Sequence, residues 1–249
     1  MKSKVNLRLM LFFISSTLVF GAMAQGQLPG AVGGYQLVFQ DDFCGPTLNE
    51  AVWNIEVNGD GGGNAELQYY RRENVSIENA PTGESSLVLT AKRETYSGRQ
   101  FTSGRVTTKD KMIFKYGKIE ARIRVPNVAR GLWPAFWMMG NTPQNANGSV
   151  QWPRCGEIDI FEMGQNVNDP ENVWGGHFHY GNDFNGGAYP NWGSGTQRTN
   201  PIYSVQNTWT LWTVTWDENS IKMYIDLDKY PNRAPYLQWN GDITEFFRK

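Results

Sequence analysis

Cysteine is scarce in this chain, with Cys44 and Cys155 alone, which excludes a disulfide-stapled small scaffold and a Cys-rich zinc module. Whether those two pair in an oxidising compartment is open at the level of sequence. Histidine is equally sparse, at His177 and His179, so a His-based metal centre would need carboxylates to complete its shell. No excess of positive charge exists either: 23 Lys and Arg stand against 24 Asp and Glu, a balance that suits neither a nucleic-acid binder nor a basic membrane-surface protein. Beyond residue 24 no apolar run is long enough to cross a membrane as a helix. Sustained helical periodicity, internal repeats, low-complexity tracts and interdomain linkers are missing as well.

What is present begins with Lys2, Lys4 and Arg8, an apolar run from Leu9 through Phe20, and Ala22-Met23-Ala24. This is the tripartite pattern of a secretory signal peptide over residues 1–24, and the run is short for a membrane anchor. The expected mature chain is residues 25–249, net −4 because the leader carries three of the bases and no acids. It is expected outside the cell, or in the periplasm of a Gram-negative source. Asn74-Val75-Ser76 and Asn147-Gly148-Ser149 are glycan acceptor sequons if the host glycosylates.

The remaining length is enough for one domain with a full core, and 27 Gly with 14% aromatics favours an all-β sandwich. Tyr35 to Phe39 and Asp41 to Phe43 form the expected opening strand, and Leu87 to Ala91 a buried one. Gly117 to Pro126 alternates, with Ile119, Ala121, Ile123 and Val125 inward and Lys118, Glu120, Arg122 and Arg124 outward. Leu211 to Trp216 and Ile221 to Leu227 form a late hairpin around the turn Asp217-Glu218-Asn219-Ser220. The polar, Gly-rich stretch Asn182 to Asn200 is expected as a surface loop near the cleft.

The densest chemistry lies in Trp152-Pro153-Arg154-Cys155-Gly156-Glu157-Ile158-Asp159-Ile160-Phe161-Glu162, which sets three acids among Ile158, Ile160 and Phe161. Side chains alternate along a strand, so Glu157 and Asp159 share one face while Glu162 has the wrong parity. A β-bulge near Ile160-Phe161 restores Glu162 to their face. Glu157 and Glu162 are then about four steps, roughly 13 Å, apart at Cα, a gap that two Glu side chains leaning together largely close. Retaining glycosidases hold their carboxyl groups about 5–5.5 Å apart and inverting ones about 6.5–9.5 Å; the long side chains suit the shorter span. Asp159 between them raises the pKa of at least one neighbour by like-charge repulsion. The plain alternative is an exposed acidic strand face.

G-E-I-D-I-F-E preceded by W-P-R-C resembles the catalytic signature of glycoside hydrolase family 16 in its bulged E-x-D-x-x-E form, most like the laminarinase (endo-1,3(4)-β-glucanase) branch. The resemblance implies a concanavalin-like β-sandwich, or jelly roll, of two antiparallel sheets with a substrate cleft on the concave face. It also implies Glu157 as nucleophile and Glu162 as acid/base, with Asp159 tuning Glu157. It extends from about Leu37 to the end. At Glu245-Phe246-Phe247-Arg248-Lys249 relatives continue through further strands, so the catalytic domain is expected to lack the last strands, and the family's occasional structural calcium site has no support. No other cofactor is expected.

Further segments match the family. Gly131-Leu132-Trp133-Pro134-Ala135-Phe136-Trp137 resembles its G-x-W-P-A-F-W strand, which places Trp133 toward the glycone subsites and Trp137 behind the catalytic strand, with core packing an equal alternative for Trp137. Trp152 is a third aromatic candidate for the cleft. Gly62 to Tyr70 resembles N-x-E-L-Q-Y-Y, whose Asn, here Asn64, reaches sugar hydroxyls; Glu66 and Gln68 are equally suited to holding the loop. Ser103-Gly104-Arg105-Val106 matches S-G-R-[IV] and places Arg105 at the same subsites, where its fixed donors suit vicinal hydroxyls; an ion pair with a nearby acid is the alternative. His177-Phe178-His179 is H-x-H on one strand face, a spacing that can chelate a metal. No third ligand is apparent in the sequence, so hydrogen bonding is favoured and no metal is expected. The segment resembles T-L-H-[WFY]-G, which places His179 beside the nucleophile and leaves His177 where others have Thr.

The expected function is a secreted, monomeric, endo-acting hydrolase of β-1,3- or mixed β-1,3/1,4-glucan, its partner the polysaccharide alone, with neither nucleic acid nor membrane. The alternatives are a hydrolase of agarose, carrageenan or porphyran, and a non-catalytic β-glucan recognition protein. Such binders usually lose the catalytic acids, whereas Glu157 and Glu162 are both present.

Overall fold

The computed structural model describes residues 2–14, 34–79, 85–128, 131–141, 152, 155–164, 173–179 and 204–240. Its strands are β1 (Lys2–Ile14), β2 (Tyr35–Asp41), β3 (Asn54–Ile55), β4 (Gln68–Tyr70), β5 (Val75–Asn79), β6 (Ser85–Lys92), β7 (Phe101–Ser103), β8 (Val106–Thr107), β9 (Gly117–Arg124), β10 (Ala135–Met139), β11 (Glu157–Met163), β12 (Trp174–His179), β13 (Thr210–Trp216), β14 (Ser220–Ile225) and β15 (Leu237–Asn240). The only helical element among the described residues is a 3₁₀ turn at Arg72–Asn74. The expected stretch Asn182 to Asn200 and the Asn147 sequon lie outside the described residues.

Ten strands form one sheet in the order β15-β14-β13-β9-β1-β6-β7-β4, with β2 beside β1 and β5 beside β6; β10-β11-β12 form a second sheet and β3-β8 a ribbon. Neighbours pair antiparallel except β4 with β7. The strands expected from sequence appear as β2, β6, β9, β13 and β14, but β2 stops at Asp41 and β14 at Ile225, before Phe43 and Asp226, which have φ of 55° and 53°. In the β13-β14 turn the Asp217 carboxylate accepts from the Asn219 and Ser220 amides, each at 2.8 Å, the local bonding that makes Asp a turn residue.

Along β9, Ile119, Ala121, Ile123 and the following Val125 are buried as the alternation requires, but Glu120, expected outward, is buried too. The strand lies inside the sheet between β1 and β13. There the Glu120 carboxylate accepts from Thr213 Oγ1 at 2.9 Å and pairs with Lys118 at 2.7 Å, so its charge is compensated, as burial demands.

The small sheet packs on the large one through its apolar face. Ile158, Ile160, Phe161 and Met163 of β11 are at most 2% exposed and join Trp212, Val214, Ile221 and Met223 in the core. Phe161 lies against Trp212 with ring centroids 4.3 Å apart, and Trp174 of β12 meets Trp212 edge-on at 5.1 Å. Such aromatic pairs add about 0.5–1.5 kcal/mol each beyond the area they bury. Gly176 lets β12 approach this closely: a Cβ there would stand 2.6 Å from Met223 Sδ and 2.8 Å from the Asp159 carbonyl oxygen.

Two sequence questions are settled. Cys44 is exposed and Cys155 buried, and no disulfide joins them. Asn74 is fully buried, its amide donating to Thr90 O and Thr102 Oγ1, so this sequon is closed to a glycan in the folded chain. Residues 2–14, which read as part of a leader, form the central strand: β1 links β6 on one side to β9 on the other and carries the pairing of β2.

Cleavage after Ala24 would remove that strand and leave the paired edges of β6 and β9 open, a template for aggregation. Residues 25–249 alone should therefore melt at least about 10 °C below residues 1–249, or elute as aggregates on size exclusion. Equal melting temperatures and a monodisperse monomer for both would show that β1 carries no stability.

Candidate active site

The three acids stand on β11, flanked by β10 and β12. Against β10 the pairing runs Met139↔Glu157, Met138↔Ile158 and Trp137↔Asp159, then skips Ile160 to Phe136↔Phe161 and Ala135↔Glu162. The extra residue on β11 is the expected bulge, and it returns Glu162 to the face of Glu157 and Asp159. Because Ala135 and Met139 lie four steps apart on β10, which carries no extra residue, the two Glu Cα atoms are separated by about 13 Å at ~3.3 Å per step. The intervening Ile158, Ile160 and Phe161 face the core.

Each acid is held by a ring N–H or an imidazole. Trp152 Nε1 donates to Glu157 Oε2 at 2.5 Å and Trp133 Nε1 to Glu162 Oε1 at 2.8 Å. His179 Nε2 lies 3.1 Å from Asp159 Oδ2, and His177 Nδ1 lies 3.2 Å from Glu162 Oε2. The cross-strand pairs Glu157↔His179 and Asp159↔His177 put both imidazoles on the acid face, their rings stacked at 5.5 Å. Trp133 and Trp152 remain exposed enough, at 45% and 36%, to offer a ring face to a ligand.

Crowding shapes the protonation of this face. Burial, and then the Asp159 charge, pushes the Glu157 carboxyl up to about 7. Burial, and then Glu162, pushes Asp159 upward likewise. The like-charge repulsion expected from the sequence is thus felt at Glu157 and Asp159. His177 is shifted up by its bond to Glu162, whereas burial pulls His179 down.

Trp137 is half-buried rather than core, and the Arg105 guanidinium lies 4.8 Å from its ring centre. Arg105 also stands 5.4 Å from the Tyr70 ring and 3.6 Å from Glu56 Oε2, so the ion pair and the position beside the acid sheet hold together. Glu66 and Gln68 do hold the loop: Tyr70 Oη and Gln68 Nε2 both donate to Glu66 Oε2, at 2.5 and 2.7 Å. Asn64 is exposed in the turn that this bonding anchors, its backbone N–H donating to Gly61 O at 3.0 Å. Gly164, just past the acids, has φ +91°, and a Cβ there would stand 1.8 Å from Leu132 O; this close approach brings Trp133 beside Glu162.

Sequence reasoning missed Tyr70 and Glu56, which orient Arg105, and it undervalued His177. Strand parity with His179 was the available signal for His177. The two imidazoles of H-x-H do not share one donor set: Glu157, Asp159 and His179 group together, and Asp159, Glu162 and His177 likewise, with the side-chain N and O atoms of each group within 4.8 Å of one another.

Comparison with known proteins gives the family and the fold. The profile of Glycosyl hydrolases family 16 matches residues 64–240. The chain is 34% identical over 236 residues to the beta-glucanase of Rhodothermus marinus, across 91% of this chain and 77% of that one. It is 33% identical over 226 residues to glucan endo-1,3-beta-glucosidase A1 of Niallia circulans, across 84% of this chain and 31% of the relative, so it spans under a third of that longer protein. Among solved structures, a family 16 endo-glucanase from Bacteroides ovatus superposes with a TM-score of 0.66 at 36% identity, covering 83% of this chain and 78% of that one. The laminarinase catalytic domain of Thermotoga maritima superposes at 0.64 with 32% identity, covering 82% and 77%. With the bulged acid strand, the flanking Trp donors and a sandwich shared with these structures, the chain belongs to Glycosyl hydrolases family 16, a family of retaining glycosidases.

Proposed function

We propose that this chain is a secreted endo-β-glucanase cleaving β-1,3- or mixed β-1,3/1,4-glucan by double displacement, with no cofactor. The observation that carries the proposal is the bulge that sets Glu157 and Glu162 on one face, each carboxylate oriented by an indole N–H. The names of the relatives, a beta-glucanase and a glucan endo-1,3-beta-glucosidase, support the substrate class. The N-terminal signal pattern supports secretion, and the pairing of residues 2–14 with β6 and β9 then belongs to the uncleaved precursor.

In the first step Glu157 attacks the anomeric carbon while Glu162 gives its proton to the departing glycosidic oxygen, and a covalent glycosyl-enzyme forms. Water, deprotonated by Glu162, then displaces Glu157, and the two inversions return the β configuration. Asp159 is buried between them, and its charge helps hold the Glu157 carboxyl up; when Asp159 takes up a proton, Glu157 is left ionised and nucleophilic. Trp133 and Trp152 offer rings to the flat CH faces of the sugars. Arg105, set by Trp137, Tyr70 and Glu56, presents its remaining donors to hydroxyls.

Incubation with laminarin, lichenan, agarose and carrageenan, followed by reducing-end and linkage analysis, tests the substrate class. Release from laminarin or lichenan with the β-anomer appearing first in the NMR spectrum is expected; cleavage of agarose or carrageenan alone, or binding without cleavage, would replace the reading. Glu157→Ala should lower turnover of every substrate by roughly 10⁴-fold or more, and azide should restore an α-glycosyl product from an activated β-aryl glycoside. Glu162→Ala should keep the first step on that aryl glycoside, and azide should there yield the β product; the reverse pairing of anomers would exchange the two roles.

Arg105→Lys keeps the charge but loses the planar stack on Trp137. A rise in KM of about tenfold with kcat little changed is the expected result, and unchanged steady-state kinetics would remove Arg105 from substrate binding.

A further inference from the structure

We propose that Asp159, Glu162 and His177 form an inhibitory binding site for a borderline divalent cation of the zinc type. The donors are one imidazole nitrogen and two carboxylates, a set that Zn²⁺ accepts with a fourth position left for water. In a tetrahedral shell with metal–ligand bonds of about 2.0–2.2 Å, neighbouring donor atoms stand about 3.3 Å apart. His177 Nδ1 and Glu162 Oε2 already lie 3.2 Å apart. An Asp159 oxygen lies within 4.8 Å of both, so about 1.5 Å of closing, within reach of one side-chain rotation, completes the three-point set.

Electrostatics favour a dication at this place. Glu157, Asp159 and Glu162 share one face of β11, and a bound cation relieves the repulsion between like charges held that close. Between the two donor sets, the one holding His177 is favoured because Glu162 is gripped by Trp133 through Oε1, which leaves Oε2 facing His177. In the other set Glu157 Oε2 carries the Trp152 N–H, and the Trp152 ring lies against His179 with centroids 5.5 Å apart. The imidazole nitrogen selects zinc and copper over calcium and magnesium, which prefer all-oxygen shells. An ion held here takes the Glu162 oxygen that must carry the catalytic proton, so metal binding and turnover exclude each other. That consequence rests on the glycosidase reading; the binding does not.

The test is calorimetric titration of the full chain with ZnCl₂ alone, in a Cys44→Ser background so that the exposed thiol does not compete, beside the same titration of His177→Thr and His177→Gln. One zinc per chain is expected, with affinity weaker by at least about tenfold in both variants, and the zinc concentration that halves laminarin hydrolysis should shift in parallel. CaCl₂ and MgCl₂ should neither bind nor inhibit. Independently of any variant, Co²⁺ added to the parent chain should give the intense visible bands of a four-coordinate ion, abolished by ZnCl₂. Equal zinc affinity in all three proteins, absence of saturable heat, or the pale spectrum of six-coordinate Co²⁺ would each overturn the proposal. His177-dependent zinc binding in a chain that cleaves no glucan would leave the site standing and sink the hydrolase reading instead.

Discussion

Three carboxyl groups on one strand face repel one another, and the rest of this structure is arranged around keeping them there. At close range the repulsion between like charges reaches kcal/mol magnitudes wherever water is partly excluded. It is met by donors from three directions: Trp133 from the segment leading into β10, Trp152 from the segment leading into β11, and His177 and His179 from β12. A hydrogen bond to a charged group contributes about 1.5–3 kcal/mol. The donors therefore do more than orient the acids; they make the arrangement tolerable.

That arrangement in turn needs a rigid backing. Glu157, Asp159 and Glu162 point one way only because Ile158, Ile160 and Phe161 point the other, into the core shared with β13 and β14. Burying each of those side chains stabilises the fold by about 1.5–3 kcal/mol, so slipping β11 by one residue would expose the apolar set and bury the acids. Register and catalytic geometry are one constraint. The bulge lets the strand satisfy it twice, before and after Ile160.

Much of this was legible in the sequence. The parity of Glu157, Asp159 and Glu162, the need for a bulge near Ile160-Phe161, the alternation of β9 and the β13-β14 hairpin all follow from the two-residue period of a strand and appear where expected. Glu120 did not follow, because alternation alone does not tell an edge strand from an interior one, and β9 is interior. Trp137 and Arg105 were open between packing and binding, since each reading satisfies the same parity; their mutual stacking joins residues from distant segments.

The amino-acid sequence by itself determined that this is an all-β chain with three acids on one strand face, because periodicity and bulge are local properties of the backbone. Only the tertiary structure decided which side chains answer those acids. Trp133 and His177 come to Glu162 from segments 29 and 15 residues away, and the pairing of β10 and β12 on either side of β11 brings them together. It also decided that H-x-H has carboxylate partners, that Asn74 is buried, and that residues 2–14 lie between β6 and β9. Each of these depends on which strands become neighbours, and that choice is made by the burial of the whole core rather than by any one segment.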